Sequence, residues 1–266
     1  MYKEIVDQFN LQAGDIIWLS SDITRTAFFI RSMLKEKFDP VRLISQFQEA
    51  VGEAGTIMLP TFNYDFSNNG VYDYVNSKGI TGALGNIALE QCGFKRTTHP
   101  LHSFAVWGKD ADLLVGMNNC HSFGKDSPFG YCDEKNVTQV MLGTDWRSMT
   151  FVHYAETICE VPYRFPKTFT GTYIDENGNR EQRSYDYAAR DLNVGTTERF
   201  ERIWEILRDK GVAKDYMFMD KIESHVVKLG DSLPIICDDI LHNKCRNIYD
   251  FNVDRDSLFE NYGENK

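Results

Sequence analysis

The first 150 residues alternate between short apolar runs and segments in which apolar side chains recur at helical spacing. Runs of strand length occupy residues 16–20, 56–62, 103–107 and 137–143. Residues 44–51 predict a helix, and Thr81 is placed to cap a second helix that ends near Cys92. This alternation predicts an α/β fold with a central mixed sheet and helices on both faces. Ligands of such folds bind where strands end and loops begin.

The pattern changes after residue 165. Residues 168–174 and 182–187 flank a Glu-Asn-Gly-Asn turn and predict a β-hairpin. Beyond it, one face of an amphipathic helix is predicted by Phe200, Ile203, Trp204 and Leu207. We therefore expect a C-terminal β-hairpin and helical extension after the sheet. No internal repeat or low-complexity tract interrupts the chain, so residues 1–266 are expected to form a single α/β domain.

Composition narrows the function classes. The 266 residues carry a formal net charge of -10, which repels polyphosphate, so no nucleic-acid partner is expected. One anionic cofactor remains compatible with a local basic cluster. The first twenty residues carry four charged side chains, and no apolar run approaches the roughly 20 residues of a membrane span. The six cysteines form no CxxC pair and are typical of reduced thiols. We expect a cytoplasmic protein without export signal or membrane anchor.

Residues 150–156, Thr-Phe-Val-His-Tyr-Ala-Glu, are the most informative stretch. On a helix His153 and Glu156 share a face, and an imidazole paired with a carboxylate can transfer a proton. The carboxylate would fix the histidine tautomer and stabilise the imidazolium. The same spacing also arises by chance on helices, so it does not identify an active site by itself. A zinc site would need a second histidine close by, and the nearest is His121, so no metal is expected.

Further polar residues lie near the ends of the predicted strands, where a ligand would bind. They are Ser20, Ser21, Thr61 and the loop residues Arg96, Thr98, His99 and Ser103. Arginine and hydroxyl groups in one loop suit a phosphate or a pantetheine amide. The alternatives are helix caps for the small hydroxyls and a solvated connection for the loop. Tyr64 lies in a polar, aromatic-rich stretch that could line a sugar site, and nucleophile motifs such as G-x-S-x-G are absent from the sequence.

Several segments, in one order, resemble the aminoglycoside 3-N-acetyltransferase family. They are GDIIWLSS (14–21), GTIMLPTF (55–62), TGALGNIALE (81–90), RTTHPLHSFAVWG (96–108), SPFG (127–130) and TFVHYAE (150–156). The resemblance implies a coenzyme A-dependent acyltransferase in which His153 is the catalytic histidine, with Glu156 and Thr150 in the same motif. It further implies that the acyl donor is surrounded by Ser20, Ser21, Arg96, Thr98, His99 and Ser103.

The chain departs from the antibiotic-modifying members of that family at residues 147–150 and at Tyr154. Those members usually have an Asn-Asn-Thr-like run and a leucine at these places. The phrases FAVWGKD, SFGKDSPFGY and VPYRF look more like the branch that acylates nucleotide-linked amino sugars for surface polysaccharides. A nucleotide sugar brings a diphosphate and a base. Candidates to bind them are Arg147 or Arg164 for the diphosphate and Tyr64 or Tyr163 for the base.

The expected reaction is direct transfer from acyl-coenzyme A to the amine in a ternary complex, with His153 as general base and no acyl-enzyme. The partners are then two small molecules, acyl-CoA and an amino sugar, and a homo-oligomer is left open. Three alternatives remain at this point. They are an aminoglycoside acceptor, a hydrolase that uses the same histidine, and a non-enzymatic carbohydrate-binding protein.

Overall fold

The computed structural model describes residues 1–260 and 262. The strands are β1 (Ile16–Ser21), β2 (Thr56–Pro60), β3 (Val71–Asp73), β4 (Lys95–Arg96), β5 (Phe104–Gly108), β6 (Thr138–Leu142), β7 (Arg164–Ile174), β8 (Arg180–Arg190), β9 (Thr196–Glu198), β10 (Ala213–Phe218), β11 (Ile222–Lys228) and β12 (Tyr249–Phe251). The α-helices are α1 (Tyr2–Asp7), α2 (Ile23–Leu34), α3 (Pro40–Val51), α4 (Asp65–Asn69), α5 (Ala83–Gln91), α6 (Ala111–Val115), α7 (Pro128–Glu134), α8 (Val152–Cys159), α9 (Phe200–Asp209), α10 (Leu229–Asn243) and α11 (Arg255–Leu258). Within this part of the chain, no helix is both long and apolar enough to cross a membrane.

The main sheet has seven strands in the order β10-β11-β6-β1-β2-β5-β4. Its centre is parallel, because β1 pairs in the same direction with β2 on one side and with β6 on the other. The outer strands pair antiparallel with their neighbours. The carboxyl ends of β1, β2 and β6 therefore lie at one edge, which is where α/β sheets bind ligands.

Helices cover both faces of the main sheet. Ile17 and Leu19 of β1 belong to a core shared with α1, α2, α3 and α5, whereas Trp18 belongs to a core shared with α7, α8, α9 and α10. Burial on both faces explains why β1 is a continuous apolar run rather than an alternating one. The expected α/β class, with a mixed sheet between two helical layers, is confirmed.

The predicted hairpin forms a separate three-stranded sheet in the order β3-β7-β8. Strands β7 and β8 pair along their whole length, from Arg164 opposite Arg190 to Ile174 opposite Arg180. This small sheet has its own core, made by Phe66, Tyr72, Leu101, Tyr173 and Tyr185. The N–H of Asp186 donates to the carbonyl oxygen of Cys120 at 2.8 Å, which fixes β8 to the main body.

The chain after the hairpin is not purely a helical extension. Strands β10 and β11 return to the main sheet, where β11 pairs antiparallel with β6. Charged residues such as Lys214 and Asp215 interrupt the apolar pattern of β10, so hydrophobic periodicity does not reveal it.

The cap of α5 also differs from expectation. Gly82 is its N-cap, and the Thr81 hydroxyl instead accepts the N–H of Phe62 at 3.2 Å.

Candidate active site

The central strand β6 leads into the helix that carries His153 and Glu156. A 3-10 turn at Trp146–Ser148 follows β6, and the Asp145 carboxylate caps it by accepting the N–H of Arg147 at 3.0 Å. Helix α8 then begins at Val152. Three residues of helix bring His153 and Glu156 together, with His153 Nδ1 2.7 Å from Glu156 Oε2.

Glu156 is fully buried, and its two oxygens have three partners. Oε2 lies 2.7 Å from His153 Nδ1 and 2.7 Å from Arg164 Nε, and Oε1 accepts the Tyr163 hydroxyl at 2.9 Å. Burial acts to raise the pKa of Glu156, but the attraction of His153 and Arg164 and the hydrogen bonds from His153 and Tyr163 outweigh it and lower the pKa to about 2. The carboxylate is therefore ionised at any pH at which the protein works.

We assign the proton of the neutral His153 ring to Nδ1, because Nδ1 lies closer to the Glu156 acceptor, at 2.7 Å, than to the Arg164 Nη2 donor, at 3.0 Å. Without that proton, an imidazole lone pair and a carboxylate oxygen would face each other at 2.7 Å, which is repulsive. Burial and the cation of Arg164 lower the pKa of His153, against the opposing effect of Glu156. The imidazole is then neutral near pH 7, with the Nε2 lone pair available as a base. One fifth of the side chain, 20%, remains exposed.

Aromatic rings lie beside His153. The ring of Phe123 lies 5.6 Å from that of His153 and 4.8 Å from that of His102. His102 also stacks on Tyr187 at 5.6 Å and meets the edge of Tyr64 at 5.9 Å. His102 Nδ1 is buried and has no hydrogen-bond partner among the described residues, and burial holds the pKa of this ring well below its usual value. We call Phe123, His102, Tyr187 and Tyr64 the aromatic wall.

A cleft of about 550 Å³ opens at the carboxyl ends of β1, β2 and β6. Its lining residues include Ser20, Ser21, Gly82, Ala83, Arg147 and Thr150. The carbonyl oxygen of Thr150 accepts the N–H of His153 at 3.0 Å. His153 therefore lies one helical turn after a residue that lines the cleft. Helix α5 points its N-terminus into the cleft, and that N-terminus has no side-chain cap. Free N–H groups at a helix start attract phosphate.

Comparison with known proteins places the chain in a family. Residues 30–231 match the family described as aminoglycoside 3-N-acetyltransferase. The chain belongs to this family. It is 26% identical over 204 residues to aminoglycoside N(3)-acetyltransferase VII of Streptomyces paromomycinus, which covers 66% of this chain and 70% of that protein. It is 28% identical over 98 residues to aminoglycoside N(3)-acetyltransferase III of Acinetobacter baumannii, which covers 36% of this chain and 34% of that protein.

Solved structures show the same fold. The aminoglycoside acetyltransferase AAC(3)-Xa has a TM-score of 0.73 and 18% identity, and the similarity covers 89% of this chain and 90% of that one. The binary complex of AAC-IIIb with CoASH has a TM-score of 0.73 and 16% identity, over 91% and 95% of the two chains. Family membership confirms the enzyme class and the donor expected from the sequence, an acyl-CoA-dependent N-acyltransferase.

The structure gathers some of the predicted residues around this family's expected site. Ser20, Ser21, Arg147 and Thr150 line the cleft. The Ser20 hydroxyl also accepts from Gln139 Nε2 at 3.0 Å, which fixes its position. Tyr64 is 38% exposed and lies against His102 rather than in the cleft.

Other predicted residues are used inside the fold. Arg96 donates to the carbonyl oxygens of residues 74 and 77, and the Thr98 hydroxyl donates to that of Met117 at 2.7 Å. His99 Nδ1 accepts from the N–H groups of residues 101 and 102, and burial lowers the pKa of this ring to about 3. Ser103 lies 2.9 Å from the buried Thr61 hydroxyl. These side chains are not in the cleft lining, and their ligand contacts stay predictions.

Tyr163 and Arg164 occupy positions that differ from those expected of nucleotide contacts. Tyr163 is fully buried and Arg164 is 4% exposed, because both bind the carboxylate of Glu156. Neither presents a free surface to a diphosphate or a base. In the sequence, the only indication that they lie near Glu156 is that the VPYRF segment comes soon after α8.

Metal and cysteine chemistry receive no support from the described residues. In residues 1–260 and 262, no group of three or more His, Cys, Asp or Glu side chains is arranged to hold a metal ion. None of the cysteines lines the cleft. Burial raises the pKa of the Cys132 and Cys245 thiols, which disfavours the nucleophilic thiolate.

We therefore expect no acyl-cysteine intermediate. Incubation with acyl-CoA alone should leave the intact protein mass unchanged, because the amine can attack the thioester directly. Replacing the exposed Cys120 with Ala should leave kcat within about twofold of wild type, since no cysteine takes part in the proposed acid–base chemistry. A trapped acyl adduct, or ping-pong kinetics, would contradict direct transfer.

Proposed function

We propose that the protein transfers an acyl group from acyl-CoA to the amino group of a nucleotide-linked amino sugar used for surface polysaccharide. The observation that carries this proposal is the His153–Glu156 pair, partly open to solvent and one turn from the cleft. We place the reaction in the cytoplasm, where acyl-CoA is available, and treat the chain as one catalytic domain. The oligomeric state is left open.

The reaction needs a base more than it needs a nucleophile. The amine nitrogen attacks the thioester carbonyl while His153 Nε2 takes its proton, and Glu156 stabilises the imidazolium through Nδ1–H. The C–N bond forms, the C–S bond breaks, and the proton on His153 passes to the departing coenzyme A thiolate. The Thr150 hydroxyl and nearby backbone N–H groups are our candidates to bind the oxyanion.

The cleft suits the donor. Its lining includes the hydroxyls of Ser20 and Ser21 and the start of α5 at Gly82, which has no side-chain cap. Arg147 lies on the lining segment that follows β6. Its guanidinium is 68% exposed and pairs with Asp145. Hydroxyls, free N–H groups and one cation form a set that binds phosphate oxygens. The same arginine is available to the diphosphate of a nucleotide-linked acceptor.

The acceptor side favours a substrate without several positive charges. The charges that act most strongly on His153 are those of Arg164, Glu156 and Arg190, and Glu156 is already paired with Arg164. Burial lowers the pKa of His102 most, and the titratable groups that lower it further are other histidines and Arg164. An aminoglycoside would call for unpaired carboxylates here. A nucleotide-linked sugar brings one amine, a diphosphate and a pyranose that can pack on the aromatic wall.

An aminoglycoside is the second candidate acceptor. The observation in its favour is that the relatives with matching sequences are named aminoglycoside N(3)-acetyltransferases. Neither acceptor changes the proposed roles of His153 and Glu156. The two candidates differ in the charge that the acceptor side must accommodate, so one competition experiment separates them.

The test compares kcat/KM for a nucleotide-linked amino sugar, the same free amino sugar and a set of aminoglycosides with one acyl donor. We expect the nucleotide-linked sugar to exceed the free sugar by about 100-fold, because charge-assisted hydrogen bonds of about 1.5–3 kcal/mol each are lost with the diphosphate. Arg147→Gln should reduce the ratio of kcat/KM for the nucleotide-linked sugar to kcat/KM for the free sugar. Arg42→Gln, exposed on α3 and absent from the cleft lining, is the matched control.

The acceptor proposal is wrong if an aminoglycoside is turned over best. It is also wrong if removal of the nucleotide leaves kcat/KM unchanged. In either case the antibiotic-modifying function replaces it, and the acyl-CoA-dependent chemistry stands.

A further inference from the structure

Arg164 lies against the proposed catalytic pair, although the motif that carries His153 does not include it. Its guanidinium has three polar neighbours, of which His153 Nδ1 cannot accept a hydrogen bond while that nitrogen carries the ring proton. Nε lies 2.7 Å from Glu156 Oε2, Nη2 lies 3.0 Å from His153 Nδ1, and Nη1 donates to the carbonyl oxygen of Ala188 at 2.9 Å. One side chain thus joins helix α8, the start of β7 and the neighbouring strand β8.

We propose that Arg164 is a positioning residue for acyl transfer, holding Glu156 where it accepts the His153 Nδ1 proton and keeping the imidazole neutral between turnovers. This inference rests on the proposed role of His153 as the base. Arginine fits the task because its planar fork presents several donors in fixed directions, whereas lysine offers one flexible ammonium. The guanidinium also stays charged when buried.

The groups around His153 leave Arg164 as the main opposing charge to Glu156. They are Glu156 on its own helix, Arg164 and Arg190 from the hairpin, and His102 from the loop before β5. Arg190 lies 3.5 Å from Glu198, which offsets its charge. His102 is uncharged because burial lowers its pKa well below neutrality. Glu156 alone would raise the pKa of His153, and Arg164 counteracts it.

A merely structural arginine would make the same contacts. It would join the hairpin to α8, and its loss would loosen the site and lower activity by a similar factor at every pH. A positioning arginine changes the protonation of His153, so its loss changes the shape of the pH profile. The pH profile therefore separates the two roles.

The first experiment measures kcat/KM from pH 5 to 10 for wild type, Arg164→Gln and Arg164→Lys. Removing the cation leaves only burial to oppose Glu156 and raises the pKa of His153, so the acid limb of Arg164→Gln should move up by about one to two pH units. Its activity should fall further at pH 6 than at pH 9. Arg164→Lys keeps the charge and should keep the acid limb near that of wild type, with a lower kcat.

The second experiment needs no substrate. Nitrogen-15 NMR of the histidine rings, with the His153→Asn spectrum used for assignment, should show Nδ1 protonated and Nε2 unprotonated in the wild type at pH 7. In Arg164→Lys the downfield Nδ1 proton signal should weaken or move upfield, because lysine cannot hold the carboxylate in one orientation. Arg180→Gln, exposed at the far end of the same hairpin, should leave the spectrum unchanged.

An acid limb that stays in place in Arg164→Gln overturns the proposal, as does a His153 spectrum that is unchanged in Arg164→Lys. If Arg164→Gln does not fold, the lysine variant and the wild-type spectrum still decide. If wild type acylates no amine on the panel, the proposed function fails, and the ring spectra still report on Arg164.

Discussion

Replacing His153 with Asn is expected to lower kcat by about 10²- to 10⁴-fold, the range typical of lost acid–base catalysis. Asparagine keeps a polar group of similar reach but cannot take the amine proton near pH 7. The acyl-CoA dissociation constant should stay within about twofold, because the cleft lining includes Thr150 but not the His153 side chain. Steady-state kinetics and calorimetric titration with the donor measure the two effects separately.

The matched control is His242→Asn, which changes an exposed histidine on α10. It should keep wild-type kcat. A folded His153→Asn variant that turns over at the wild-type rate would remove the base role. A large loss of donor affinity in that variant would instead place His153 in the donor site.

Replacing Glu156 with Ala is expected to lower the free energy of unfolding by about 3–5 kcal/mol, the usual effect of removing one partner from a buried ion pair. The variant leaves Arg164 buried without its carboxylate and leaves the Tyr163 hydroxyl without its acceptor. Urea denaturation at pH 7 measures the difference. Glu205→Ala, which changes an exposed glutamate on α9, is the control and should change stability far less.

The pH dependence of the unfolding free energy is a second test of how the Glu156 carboxylate stabilises the fold. Its folded-state pKa of about 2 lies below the ordinary 4.5, so it stabilises the fold above pH 4.5 and loses that contribution as pH falls from 4.5 to 2. The Glu156→Ala variant lacks this group, so its unfolding free energy should fall less steeply in that window. Equal stability of variant and wild type at pH 7 would show that the carboxylate is not the partner of Arg164.

The central strands and helix α8 could be predicted from sequence because their signals are local. Apolar runs mark β1 and β6, and the three-residue spacing within α8 brings His153 to Glu156. Strand β10 could not be predicted from apolar periodicity, because it contains Asp215, whose partner lies on another strand. Its carboxylate lies 2.7 Å from Nδ1 of the buried His225 on β11.

The partners of Glu156 could not be predicted either, because they depend on how the chain turns after α8. Glu160 adopts a left-handed conformation with φ of 52°, which ends the helix and reverses the chain. Tyr163 and Arg164 are thereby returned to the carboxylate. From sequence alone, both residues are equally compatible with an exposed ligand site. The loop from Arg96 to Ser103 has the same ambiguity, since its polar side chains bond to backbone groups and to Thr61.

In the proposed function, the two sheets would contact different substrates. The cleft proposed for the donor lies at the seven-stranded sheet, whereas Tyr187, one of the four residues of the aromatic wall, lies on the sheet β3-β7-β8, which has a core of its own. In protein-engineering terms, we expect the small sheet to be replaceable as a unit. A graft that keeps Arg164 and the Ala188 carbonyl should preserve its attachment to helix α8. On the proposed function, new acceptor surfaces along the hairpin should then leave the cleft proposed for acyl-CoA unchanged.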